Sequence, residues 1–136
     1  MLNFTDISWT GIIAAAVASF ILGGLWFSVL FGRAYSAALG RAHDPSARPA
    51  PLMMVGPAVW GLLTAIATSV LMTSLEVRTV GGAVAVGVFV GLGYLAPTTV
   101  NTGINPNIPR PGLYGLVSGA YHLLAGVVIA VIIVLL

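Results

Sequence analysis

The chain has 136 residues, of which 59% are hydrophobic and 6% charged: five Arg, no Lys, three acidic residues, a formal net charge of +2. A soluble domain carries about 25% charged residues, so this composition excludes a water-soluble globule and makes lipid the solvent. The absence of Cys excludes disulfides, thiolate metal sites and a Cys nucleophile, and the lack of a basic cluster excludes a nucleic-acid partner.

Met1 to Ser8 contains Asp6 and no basic residue, so it lacks the positive start of a secretory signal. The apolar run that follows, 8–31, reads as a permanent transmembrane helix. Trp9 and the pair Trp26-Phe27 sit near its two ends, as an aromatic belt requires. A polar loop over 32–51 follows, with Arg33, Arg41, His43, Asp44, Arg48 and three prolines. The second span is 52–75, with Pro57 in its first turns, and a tight connection through Glu76 and Arg78 leads to the third span, 81–100. Pro97, Thr98, Thr99 and Asn101 mark its end as a place where the helix unwinds. The loop 101–112 is dense in Asn and Pro, and the fourth span, 113–136, closes the chain. The expected fold is therefore all-α: a single domain over 1–136, with four transmembrane helices in a compact bundle. Each stretch is long enough for a hydrocarbon core of roughly 30 Å.

The first and third loops carry Arg33, Arg41, Arg48 and Arg110, against only Arg78 on the other side. Short Arg-rich loops stay in the cytoplasm. Both termini are thus expected outside, with loops 32–51 and 101–112 cytoplasmic. The apolar Val127 to Leu136 segment, which has no polar face, is expected to meet lipid or a partner subunit.

Every span has a stripe of small or polar residues at steps of three and four. They are Gly11, Ala15, Ser19, Gly23 and Trp26; Pro57, Gly61, Thr64 and Thr68; Gly87, Gly91, Tyr94, Thr98 and Asn101; and Gly115, Gly119, His122 and Gly126. Each set shares one helix face. Small-residue seams hold membrane helices together, so Gly23, Gly87, Gly91, Gly115, Gly119 and Gly126 read first as packing positions. The competing reading is a narrow polar path lined by His122, Tyr94, Thr64, Thr68 and Asn101. His122 is the only ionisable side chain deep in a span apart from tyrosines, which makes it a functional hypothesis by default. The alternative is a neutral imidazole that bonds Thr64, Thr68 or Tyr94 and fixes helix register. Tyr121 stands a ~100° step away from His122 around the helix, so cooperation between the two is not required by their adjacency.

No metal site is expected, since His43 and His122 belong to a loop and a midplane and zinc needs three or four converging ligands. No cofactor is expected either. There is no nucleophile elbow, carboxylate pair or phosphate-binding loop, and enzyme activity is not expected.

Two stretches carry a family resemblance: Gly23-Gly24-Leu25-Trp26-Phe27-Ser28-Val29-Leu30-Phe31-Gly32-Arg33-Ala34-Tyr35, and Gly119-Ala120-Tyr121-His122-Leu123-Leu124-Ala125-Gly126. Together they resemble the bacterial four-helix membrane family of unknown function, number seventeen sixty-one, with Phe27 where that family usually has Tyr. The resemblance implies the fold and the membrane and no activity, and the expected location is the bacterial inner membrane. In this segment Gly32 reads as a C-terminal helix cap, Trp26 as an interface anchor and Arg33 as a cation at the negative helix end, close to lipid headgroups. The glycine faces, the apolar fourth span and His122 lead to two expected functions. The first is assembly, as a homo-oligomer or as a small subunit of a larger membrane-protein complex. The second is a small channel or transporter for protons or a solute, with His122 in its path.

Overall fold

The structure is a computed structural model that describes residues 1–136. It is all-helical. Four helices are long and apolar enough to cross a membrane: Trp9–Leu30, Pro51–Ser74, Val80–Gly103 and Pro111–Leu135, here the first to fourth spans. A short helix, Gly32–Ala38, follows the first span. Local chemistry sets the starts. The Ser8 hydroxyl accepts the Gly11 N–H at 3.1 Å, and the Thr79 hydroxyl accepts that of Gly82 at 3.1 Å. Pro51 and Pro111 open the second and fourth spans, where a missing amide costs no helical bond.

The fourth span is the hub. It packs most extensively on the third and first spans, and the first also packs on the second. The second span meets the fourth and third only lightly. One face of the segment Val127 to Leu136 therefore packs into the bundle, with Ile129, Ala130 and Ile133 buried, while the other residues are partly covered or, at Leu135 and Leu136, exposed. The expectation that the segment faces lipid or a partner is corrected for this buried face alone. Ile129, Ala130 and Ile133 join Ile12, Ala15, Ala65, Met72 and Ala83 in one apolar core. The reason is packing rather than polarity. Lipid tails are as apolar as Ile, so an apolar face carries no address, and helices settle where backbones approach most closely. A Cβ at Gly87 would lie 2.5 Å from the Val127 Cα and 2.7 Å from the Gly126 carbonyl oxygen, and one at Gly91 2.9 Å from the Leu123 Cα. The third and fourth spans thus touch backbone to backbone. Gly115 and Gly119 extend the seam against Val100.

Two spans contain π-helical turns, Leu25–Leu30 and Gly91–Leu95. The second lies directly before Pro97. The proline ring would clash with the carbonyl four residues back in a regular helix, and the wider turn relieves it. The helix consequently does not unwind there. It continues through Pro97 to Gly103, three residues beyond the end read from sequence.

Gly32 does not cap the first span. The break is at Phe31 (φ −123°, ψ 15°), and Gly32 starts the short helix. It is glycine by proximity, because a Cβ there would sit 2.9 Å from the His43 ring. The capping glycine is Gly40, at φ +67°. Its N–H bonds the Ala37 carbonyl, and that of Arg41 bonds Ser36, a Schellman ending. Glu76 repeats it after the second span, at φ +53°, with its N–H on Thr73 and that of Val77 on Met72.

The Arg110 N–H donates to the Ala38 carbonyl at 3.2 Å, which joins the first and third loops on one face of the bundle. The Asn3 N–H donates to the Ser74 hydroxyl at 2.7 Å, which ties the N-terminal segment to the turn after the second span on the other. Replacement of Gly87 by Ala is expected to destabilise the protein by about 1–3 kcal/mol, the usual range for overpacking. Gly81→Ala, which meets open space, is expected to stay within about 0.5 kcal/mol. Reversible unfolding in mixed micelles checks both.

Candidate functional site

The first and fourth spans exchange two side-chain hydrogen bonds. The Trp26 indole N–H donates to the Val117 carbonyl at 3.0 Å, and the Tyr121 hydroxyl donates to the Ser19 carbonyl at 3.1 Å. Each span therefore gives one donor and takes one. Both acceptors are backbone oxygens within helices, where a second lone pair remains free. Ser19 is the crossing point of three spans. It is buried, its hydroxyl donates to Ala16, and Gly61 of the second span packs against that hydroxyl. Gly23 leaves room for the phenol, since a Cβ there would lie 3.0 Å from the Tyr121 oxygen. The π turn after Gly24 includes Trp26, and its widened winding ends in a bond from the Phe31 N–H to the Trp26 carbonyl.

An aromatic row continues from this clasp to the arginine-rich face. Phe31 lies 4.4 Å from Trp26 between ring centroids, Phe27 lies 5.0 Å from Tyr121 and 4.7 Å from Tyr35, and Tyr35 lies 6.0 Å from Tyr114. The Tyr114 ring packs over Gly103. Burial raises the Tyr35 phenol above its ordinary pKa, the Tyr114 phenol adds to this, and Arg41 opposes both. In the exposed part of the loop, Ser46 donates through its hydroxyl and its backbone to Asp44. Those bonds hold that carboxyl below its ordinary value. His43 folds back over Gly32, with its Nδ1 3.4 Å from the Ser36 hydroxyl.

Trp26 stays near the end of its span, as an anchor would, but its polar edge is satisfied by the fourth span rather than by headgroups. Arg33 is exposed in the first turn of the short helix. Gly23, Gly87, Gly91, Gly115, Gly119 and Gly126 all face neighbouring helices within the chain. The proposed polar seam is not gathered. Thr68 is buried, and Thr64 returns its hydroxyl to the Trp60 carbonyl. Tyr94 is 61% exposed and pairs with Phe89, and Asn101 is exposed. The π turn at Gly91–Leu95 explains this. It adds one residue to the winding and advances the phase by ~100°, so the buried face after Gly91 resumes at Ala96 and Gly103. His122 forms no side-chain hydrogen bond. Its ring meets the edge of Tyr121 at 5.0 Å, so the neighbour one step away is the one it touches.

Chemically, the site is a neutral clasp: two donors, two carbonyls and a stack of rings. No three His, Asp or Glu side chains converge in the bundle. Tyr121, and not the ionisable His122 beside it in the same short motif, makes the bond between the spans. Tyr121→Phe is expected to cost about 0.5–1.5 kcal/mol, the range for interhelical hydrogen bonds in membranes. Gly23→Ala displaces the same hydroxyl, so it is expected to cost less in the Tyr121→Phe background than alone. Unfolding of the two single variants and the double variant in mixed micelles measures this coupling.

The profile of a family described as "Protein of unknown function (DUF1761)" matches residues 10–134. No curated protein and no solved structure matches the chain. The match spans nearly the entire sequence, including the motif of the first span with Gly23 and Trp26 and that of the fourth with Tyr121, which the fold brings together. The chain belongs to this family.

Proposed function

We propose that this protein is a non-enzymatic component of a bacterial inner membrane that acts by assembly, through contacts between its second span and a second copy of the chain. The observation that carries this reading is the state of that span near the arginine-rich face. From Pro51 to Trp60 every residue except Gly56 is exposed, and Gly56 is only partly covered. A Cβ at Gly56 would meet nothing, as at Gly24, Gly81, Gly93 and Gly112, but only at Gly56 does the open glycine lie within a ten-residue stretch of span that is otherwise exposed throughout. Met53, Gly56, Trp60, Leu63 and Ala67 fall at steps of three and four, one ridge of the helix. Trp60 is 67% exposed and lies roughly 14 Å into the span, at 1.5 Å per residue, below the level of an interfacial belt. A small residue beside a large aromatic one offers a hole and a knob to a facing helix, and tight packing of this kind drives association where no hydrophobic effect operates.

The chain has no Cys, so single cysteines report contacts cleanly. Leu63→Cys is expected to form a disulfide-linked dimer in native membranes, and Val88→Cys on the third span is expected to remain monomeric. Native mass spectrometry in mild detergent is expected to show a defined homo-oligomer that Gly56→Leu dissociates. A monomer in both experiments contradicts self-assembly, and co-release with a larger protein converts the reading to that of an accessory subunit.

The arginine count supports an orientation. Arg33, Arg41, Arg48 and Arg110 lie in loops tied together at one face, and Arg78 lies in the turn at the other. The former face is proposed to be cytoplasmic, with both termini outside. A reporter fused after Leu136 that works only outside the cytoplasm is expected to be active, and one that works only in the cytoplasm is expected to be silent.

A further inference from the structure

The face opposite the arginine-rich loops holds a cleft that the assembly reading does not use. It has a volume of about 330 Å³ and is lined by Asn3, Asp6, Met72, Thr73, Glu76, Val77 and Arg78. At about 30 Å³ per water, this is the space of roughly ten waters. An adjoining pocket of about 230 Å³ shares Asp6, Thr73 and Arg78 and runs inward to Ser69, Ile133 and Val134. The cleft is built rather than incidental. Asn3 anchors it to the second span through Ser74, accepts the N–H groups of Thr5 and Asp6, and donates its side-chain amide to the Asp6 carboxylate at 2.8 Å. Glu76 occupies the left-handed position of the helix ending and Arg78 follows in the same turn. At the inner end, Ser69 is 0% exposed and its hydroxyl has no partner. A buried hydroxyl without a hydrogen bond is costly, and Ser69 borders the adjoining pocket.

We propose that this cleft binds the headgroup of a zwitterionic phospholipid, one that carries a phosphate and an ammonium group. No ion pair neutralises the two carboxylates and the guanidinium against one another within the cleft, so both signs are available to a ligand. Two acids against one Arg leave the cleft negative, which selects an ammonium and repels a purely anionic headgroup. The carbonyl end of the second span adds partial negative charge beside Glu76, and Arg78 directly precedes the N-cap of the third span. Ammonium is thus favoured at Asp6 and Glu76, and phosphate at Arg78 beside the positive end of a helix dipole. The inner pocket, lined in part by Ile133, Val134 and Met72, offers an apolar wall to the glycerol ester region. Metal chelation is disfavoured, since no third His or acid joins the pair. The headgroup would meet the cleft at the depth where the apolar spans end.

The test uses the full-length protein in mixed micelles with equal mole fractions of phosphatidylethanolamine and phosphatidylglycerol, with retained lipid read by native mass spectrometry. Retention of the ethanolamine lipid on the order of tenfold over the glycerol lipid is expected. Asp6→Asn is expected to abolish that preference and Arg78→Gln to reduce retention of both lipids. Equal retention, a preference for phosphatidylglycerol, or insensitivity to Asp6→Asn and Arg78→Gln in variants that melt normally overturns the proposal. Free phosphoethanolamine that binds as tightly as the lipid also overturns it, because the ligand is then a soluble compound. None of these outcomes depends on whether the second span self-associates.

Discussion

The exchange of donors between the first and fourth spans, Trp26 to the Val117 carbonyl and Tyr121 to the Ser19 carbonyl, is the contact on which the arrangement of the bundle depends. Helices in lipid gain nothing from burying apolar surface against one another, so register comes from close packing and from polar groups that have no water to turn to. The indole N–H at one level and the phenol at another fix the first and fourth spans against both rotation and sliding. Gly23 admits the phenol, and Ser19 receives it at the point where the second span also crosses through Gly61. The fourth span, so oriented, presents Gly126 to Gly87 and Gly91 on its other side.

The transmembrane architecture was legible in the sequence because it follows from apolar length and charge poverty, which need no partner to be read. The glycine positions were legible for the same reason: three- and four-residue steps define a face whatever packs on it. The phase of the third span was not. A stripe drawn through Gly87, Gly91, Tyr94 and Asn101 assumes uniform winding, and one π turn before Pro97 moved the last two outward. Periodicity alone cannot detect an added residue per turn, although Pro97 is a signal that the helix must accommodate something.

Trp26 and Tyr121 show a different limit. An aromatic residue near the end of a span looks identical in sequence whether its polar edge meets a headgroup or a neighbouring carbonyl. His122 attracted notice as an ionisable group, and its plain neighbour makes the bond. The burial of Ile129, Ala130 and Ile133 was equally hidden, since an all-apolar helix segment carries no mark of which solvent, lipid or protein, surrounds it.

The same physics separates the settled part of the molecule from the part available for function. The first and third spans each close on the fourth through the clasp and glycine contacts, while the second is held at Ser19 and by the core around Met72 and is free near the arginine-rich face. The most direct test of this account is solid-state NMR in lipid bilayers, with the Trp26 indole nitrogen and the Val117 carbonyl carbon isotopically labelled. A dipolar contact consistent with an N–O distance of 3.0 Å, together with protection of the indole proton from exchange, is the predicted result. An indole that exchanges freely and shows transfer only to lipid headgroups or water would contradict it.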